Sequence, residues 1–382
     1  MNMSRSGHRV VVTGLGAFSA FGAGVDVLAS ALVAGRTGFR EVTRFTTLGR
    51  RAHTAAHADG DPTLADVWCQ VGHEALGQAG LEPGRPAGLF LGTQGQWTGL
   101  TAFWREGSRV GVVDALAADQ ARALGIRLGL GPGQRRVYTN ACAASATALA
   151  MGVGAIRAGR ESVAIVGGGY LVDEEFFAKF DSGRALSTEG RILPFDRRRS
   201  GLLLGDGVAL LILESYESAQ ARGAPVLAEV VGTGLTSDSH HVCRPHPEGA
   251  GLEAAIRRAL VDADLPASVV GYVNAHGTGT AANDPAEAAA LLRVFGTDGP
   301  AVSSTKSMTG HALEGSGALE GVVGVLALNR GVLPPTAGLT DPDPACDLDH
   351  VTTARATPVE AVLSVSAAFG GVNAALLFGR AA

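Results

Sequence analysis

The chain carries two corners of one design. The first is Tyr138-Thr-Asn-Ala-Cys142-Ala-Ala-Ser-Ala146. There a strand-like run (136–139) turns through Asn140-Ala141-Cys142 into a helix of small residues (143–158). The second is Ala301-Val-Ser-Ser304 followed by Thr305-Lys-Ser-Met-Thr-Gly-His311. That run turns through residues 306–311 into another small-residue helix (315–329). Each corner is followed by a glycine-rich stretch that reads as a strand turn: Val166-Gly-Gly-Gly169 and Ala368-Phe-Gly-Gly371. A unit that occurs twice predicts two similar halves, 1–220 and 221–382, joined at the polar stretch 217–223. Such a duplication is expected to bring the two corners together.

Working outward, strand-like runs stand at 9–13, 88–92, 162–167, 208–214, 228–231, 269–274, 362–366 and 374–378. Most are continuously apolar, as in strands covered on both faces. Helical periodicity falls between them, at 63–79, 251–263 and 285–295, so the chain reads as α/β. Gly14-Leu-Gly16 ends the first run and could open a dinucleotide site. Ser19 stands where the third glycine of that fingerprint belongs, so a plain turn is the reading.

Composition narrows the function. The 382 residues are 46% hydrophobic and 18% charged, enough to bury a large core of about two domains. Net charge is −5 without a basic stripe, and aromatics are 5%, which disfavours a nucleic-acid surface. The uncharged stretches 138–156 and 361–379 contain Asn, Ser and Gly and read as buried core rather than membrane spans. No secretory signal precedes residue 12, so a cytoplasmic protein is expected. Four cysteines make no disulfide framework or zinc pattern. His240, His241 and His246 around Cys243 match no zinc spacing and read as a surface loop.

Three polar positions can carry chemistry. Cys142 stands at a helix N-terminus among small residues, where the dipole favours a thiolate and lowers its pKa. The alternative is inert packing, the reading given to Cys69, Cys243 and Cys346. His276 lies in Asn274-Ala-His-Gly-Thr-Gly-Thr280, whose Thr278 and Thr280 offer hydroxyls to a polar ligand. His311 closes the second corner, five residues after Lys306. The 31 basic residues include only two lysines, Lys179 and Lys306, so Lys306 stands out. A buried lysine needs a partner, and Glu320 on the following helix can supply it.

Together these stretches resemble the β-ketoacyl-acyl-carrier-protein synthases, condensing enzymes of fatty-acid and polyketide assembly with the thiolase fold. The resemblance covers essentially the whole chain. It includes 10–22, 139–145, Leu186-Ser-Thr with Pro194-Phe-Asp196, 274–287, 303–311 and Phe369–Asn373. It implies a duplicated, α-β-α-β-α layered fold. It implies Cys142 as nucleophile, His276 and His311 as paired histidines, and Lys306 with Glu320 as their supporting ion pair. Backbone N–H groups of Cys142 and Phe369 would form an oxyanion hole. Thr278, Thr280, Phe369 and Gly370 would bind the phosphopantetheine arm. Neither metal nor redox cofactor is needed, since substrates ride on an acyl carrier protein. A homodimer, or a heterodimer with a chain-length-factor-like subunit, is implied, and neither nucleic acid nor membrane is a partner.

The chain departs from the family pattern in three places. The segment from Gly92-Thr93 to Cys142 is short, with 109–122 standing where an acyl-pocket and dimer segment belongs. Val365-Ser-Ala-Ala368 replaces a bulkier sequence, which predicts a roomier pocket mouth. Asn140 replaces a threonine. These changes suggest a specialised pathway, of type II polyketide or fatty-acid kind. The leading expectation is a free-standing decarboxylative condensing enzyme, with no carrier domain attached. Alternatives are a ketosynthase-like acyltransferase and a non-catalytic chain-length partner. A degradative thiolase is disfavoured because Cys346 lacks the setting of a second catalytic cysteine.

Overall fold

The computed structural model describes residues 8–109 and 116–381. Ten strands form one continuous hydrogen-bonded path. In chain order they are β1 Val10–Ser19, β2 Gly88–Gly92, β3 Arg135–Tyr138, β4 Val163–Tyr170 and β5 Gly207–Ser215. The second five are β6 Ala228–Ser237, β7 Val270–Asn274, β8 Ala301–Ser303, β9 Ala361–Ala367 and β10 Val372–Gly379. Their spatial order is β8-β7-β9-β10-β6-β1-β5-β4-β2-β3. Each half therefore repeats one topology. Its first, fifth and fourth strands pair antiparallel, and its fourth, second and third pair parallel. The halves join where β1 meets β6, Val11 opposite Glu229 and Val12 opposite Ala228.

Six helices fix the layers: α1 Leu64–Ala79, α2 Ala144–Arg157, α3 Glu174–Ser182, α4 Ala250–Ala263, α5 Asn283–Phe295 and α6 Ser316–Arg330. α1 covers β1 and β5, and α4 covers β6 and β10. Between the two halves of the sheet, α2 and α6 touch each other and strands of both halves. The fold is thus the expected layered duplication. Its central core packs Leu149, Val153 and Ile156 of α2 with Val322 and Val325 of α6. Outer cores lie under α1 (Val67, Trp68, Val71) and under α4 (Leu252, Ile256). Each such buried side chain stabilises the fold by about 1.5–3 kcal/mol.

Two glycine readings need correction. Gly14 and Gly16 do not turn; they continue β1. A Cβ at either would sit 2.1 Å from the Ala75 carbonyl or 2.0 Å from that of Val71, so they let α1 lie on the strand. Gly232 and Gly234 do the same for α4 against β6, at 2.1 and 2.0 Å from the Ala259 and Ala255 carbonyls. Gly167, Gly168 and Gly169 likewise stay inside β4. Only Gly370 and Gly371, with φ 86° and 76°, form the expected turn. Of the short segment 109–122, residues 110–115 lie outside the described residues; a helix, Ala117–Arg127, begins beyond them. No helix among the described residues is long and apolar enough to cross a membrane.

These close approaches predict opposite outcomes for two glycines. At Gly92 a Cβ would meet the Ser145 nitrogen at 2.2 Å, whereas at Gly154 of α2 it meets open space. G92A is expected to destabilise by about 2 kcal/mol or more. G154A is expected to stabilise by roughly 0.5–1 kcal/mol through helix propensity. Urea unfolding of both variants measures the pair.

Candidate active site

Each corner ends in a single tight turn that opens a central helix. Ala141–Ala143 leads into α2 and Leu313–Gly315 into α6. The first residue of each is left-handed, Ala141 at φ 52° and Leu313 at 42°. The turns pack against each other. Side chains at the helix starts are small enough for contact: Ser145 Oγ accepts from the Ala318 N–H at 2.9 Å. A Cβ on Gly317 would lie 2.8 Å from that of Ala146.

This packing sets Cys142 Sγ 3.1 Å from His311 Nε2. The other ring nitrogen, Nδ1, is 2.9 Å from Ser316 Oγ. A hydroxyl both donates and accepts, so Ser316 supports the proton on either ring nitrogen. The His276 ring stands edge-on to His311, centroids 5.3 Å apart. Its loop is anchored by Glu287 of α5, which accepts from the His276 and Gly277 N–H groups at 2.6 and 2.8 Å. Ser304 Oγ donates to the Gly277 carbonyl at 2.7 Å, tying this loop to the second corner. His276 Nδ1 is buried with no partner among the described residues, which favours the tautomer whose proton sits on Nε2.

Lys306 and Glu320 form a buried ion pair. Both are nearly inaccessible, and they stand behind the histidines rather than on the cavity wall. Burial pushes the Glu320 carboxyl up to about 7 against the pull of Lys306. Burial also lowers the pKa of His311, with the Lys306 charge second. His276 is lowered by burial, then by Lys306 and His311. Both imidazoles are therefore neutral at pH 7.

The expected lowering of the Cys142 pKa does not hold. Burial pushes the thiol up to about 12; Glu314 raises it further and Lys306 opposes only in part. Desolvation outweighs the helix terminus because the sulfur is nearly covered.

A cavity of about 520 Å³ reaches these groups from the surface. Cys142, His276, His311, Thr278, Thr280 and Phe369 line it. The Thr278 and Thr280 hydroxyls are 3.0 Å apart. Phe369 is 47% exposed and stacks on Phe180, ring centroids 5.8 Å apart. Gly370 does not line the cavity. Its N–H donates to the Val242 carbonyl at 2.7 Å, tying the Phe369 turn to a neighbouring loop. That loop carries the exposed Cys243, which stands on the cavity rim and is not a packing residue. Cys69 and Cys346 are buried, as read. Asn140 bonds Thr147 Oγ1 at 2.8 Å.

Sequence reasoning gave no role to Ser316, Glu287, Gln94 or Glu314. The signal for Glu287 was its place in the 274–287 stretch. The burial of Glu314 comes from the other half of the chain and leaves no local trace.

Two outcomes follow. Removing one member of the Lys306–Glu320 pair strands a buried charge, so K306M should lose about 3–5 kcal/mol of unfolding free energy. K306M/E320L should recover most of it in denaturant titrations. Iodoacetamide should alkylate Cys142 slowly at pH 7, with a rate that climbs steadily toward pH 11.

Comparison with known proteins agrees along the whole chain. Residues 63–219 match the family described as beta-ketoacyl synthase, N-terminal domain, and 227–340 match beta-ketoacyl synthase, C-terminal domain. The chain is 35% identical to 3-oxoacyl-[acyl-carrier-protein] synthase 2 of Coxiella burnetii, over 98% of this chain and 99% of that one. It is also 35% identical to the tetracenomycin polyketide synthase ketoacyl synthase alpha subunit of Streptomyces glaucescens, over 97% of each. Among solved structures it superposes on the ishigamide ketosynthase/chain length factor with TM-score 0.91 and 33% identity, covering 98% of this chain and 100% of that one. A beta-ketoacyl synthase from Burkholderia phymatum gives TM-score 0.91 at 32% identity, with the same coverage. The chain belongs to the β-ketoacyl synthase family: it is an acyltransferase of thiolase-like fold and a condensing enzyme of fatty-acid or polyketide type.

Proposed function

We propose that the protein condenses a Cys142-bound acyl group with malonyl-carrier protein, with loss of CO2. The observation that carries this reading is the 3.1 Å contact between Cys142 Sγ and His311 Nε2, with His276 beside it. In the first stage Sγ attacks the carrier thioester as its proton passes to His311 Nε2. The proton then leaves with the pantetheine thiol. Backbone N–H groups of Cys142 and Phe369 hold the oxyanion of this step. Thr278 and Thr280 bind the pantetheine arm at the cavity wall.

In the second stage the malonyl group loses CO2 and leaves an enolate. Neutral His276 and His311 donate N–H to its oxygen, where charge develops. The Ser316 hydroxyl lets His311 serve both stages, as acceptor first and donor second. The enolate carbon attacks the acyl carbonyl, a C–C bond forms, and Cys142 departs as thiolate. Burial keeps both histidines uncharged, and the nearby Lys306 ammonium adds to this effect.

The partner is a discrete acyl carrier protein, and the assembly is a dimer with itself or with a chain-length-factor-like subunit. Support comes from solved structures of similar proteins: a type II PKS acyl-carrier protein in complex with its ketosynthase, and a ketosynthase in complex with its chain length factor. The pathway is of type II polyketide or specialised fatty-acid kind, in the cytoplasm. The two halves, 1–220 and 221–382, act as one unit, the first bearing the nucleophile and the second the histidines.

Intact-mass spectrometry tests the scheme. Incubation with acyl-carrier protein should add an acyl group to the parent and not to C142A. Malonyl-carrier protein should then release CO2 and give a ketoacyl-carrier product. H276A should still acylate but lose condensation by about 100-fold or more. An adduct without extension would favour acyl transfer to another nucleophile. Absence of any adduct from folded protein would sink the nucleophile assignment and leave the non-catalytic partner reading.

A further inference from the structure

The condensation scheme makes no use of Glu314. This residue holds, on the second turn, the place that Cys142 holds on the first. It is 2% exposed; its carboxylate accepts from the Gln94 amide, and among the described residues no cation forms an ion pair with it, the Lys179 charge acting only as a lesser influence. The Glu314 turn packs directly against the Cys142 turn, and the Glu314 carboxylate raises the Cys142 pKa. Gln94 in turn stands just past β2 where His276 stands just past β7. Strand registers fix this match: Gly92 lies opposite Gly168 in one half as Asn274 lies opposite Ser364 in the other. The Gln94–Glu314 pair is therefore the two-fold image of His276 and Cys142.

The remaining surroundings of Cys142 on this side are apolar, with Val172, Phe176, Phe177, Phe180 and Leu313 in one cluster. Tyr170 of the same cluster also lines, with Asp173, Gly95 and Gln96, a second cavity of about 330 Å³. Glu314, next in sequence to Leu313 of that cluster, sets a buried polar group beside these apolar side chains. Burial holds the Glu314 carboxyl up at about 7, so a neutral acid is available near physiological pH. A neutral acid donates one hydrogen bond and accepts more, and the Gln94 amide uses only part of that capacity. An alkyl chain laid against it leaves a polar group unmet, whereas a chain with its own hydroxyl or carbonyl meets it.

Taking Cys142 as the acyl acceptor, we propose that Glu314 and Gln94 determine acyl specificity. They select acyl groups that bring a hydrogen-bonding oxygen or nitrogen to this point over saturated chains of equal length. A site built to bond a hydroxyl discriminates strongly against the analogue that lacks it.

The test is competition between N-acetylcysteamine thioesters of octanoate and of 3-, 5- and 7-hydroxyoctanoate, read as acylation of Cys142 by intact mass. For the full-length parent, at least one hydroxy chain should acylate about 10-fold faster than octanoate. Q94L and E314L should bring that ratio near one while octanoate still acylates, and E314Q should keep most of the preference. Gln94 is only half-buried, so Q94L decides the matter if E314L does not fold. A parent that favours octanoate, or a hydroxy preference unchanged in Q94L, would overturn the proposal alone. A parent that no thioester acylates would overturn the condensing reading on which it rests.

Discussion

Everything in the site depends on how closely two backbone turns approach across the axis that relates the halves. The turns at Cys142 and Glu314 sit over Gly92 and Gly168, where any Cβ would collide with Ser145 or with the Glu314 carbonyl. Gly315 and Gly317 clear the same space from the other side. The 3.1 Å contact between Cys142 Sγ and His311 Nε2 spans 169 residues of sequence and is set by this packing. A displacement of about 1 Å in such a contact is worth about 100-fold in rate. That explains why the residues around the corners are Gly, Ala and Ser: larger side chains would add burial and separate the reacting atoms.

The same closeness decides the electrostatics. A site this dry disfavours every charge: burial moves the cysteine up, both histidines down, and Glu287, Glu314 and Glu320 up to about 7. Lys306 bonds Glu320, so the deepest ammonium is compensated where it stands. Cys142 then cannot rest as a thiolate at neutral pH. In the proposed scheme attack therefore couples to proton transfer to His311, and the helix terminus acts on charge as it develops.

Much of this was legible in the sequence. The two corners showed because small residues cluster there twice, and Lys306 because lysine is so rare in the chain. What failed were the readings that judged a residue from its local stretch alone. Gly14 and Gly16 were read as a turn because a glycine announces freedom, not which backbone approaches it. The repeat held the clue: Gly232 and Gly234 occupy the matching strand and receive the matching helix. The Cys142 pKa was misjudged for a related reason. A helix N-terminus is a local feature, whereas desolvation is summed over both halves. Cys243 was taken for packing because nothing nearby in sequence places its loop on the cavity rim.

Duplication also explains why Glu314 was invisible. Within its own stretch it is an acidic residue in the first turns of a helix, an ordinary place for one. Only the two-fold relation reveals that its position is equivalent to that of the nucleophile, and that Gln94 answers to His276. One copy carries the Cys142 thiol with the His276 imidazole, which donates its N–H in the proposed condensation. The other carries a carboxyl beside an amide that can only bond it. Cys142, His276 and Glu314 are buried, and Gln94 is half-buried. A fold that fixes two equivalent polar positions need use only one for bond making. The second is left at a fixed place near the nucleophile, where chemistry does not constrain it and fit to the acyl chain can.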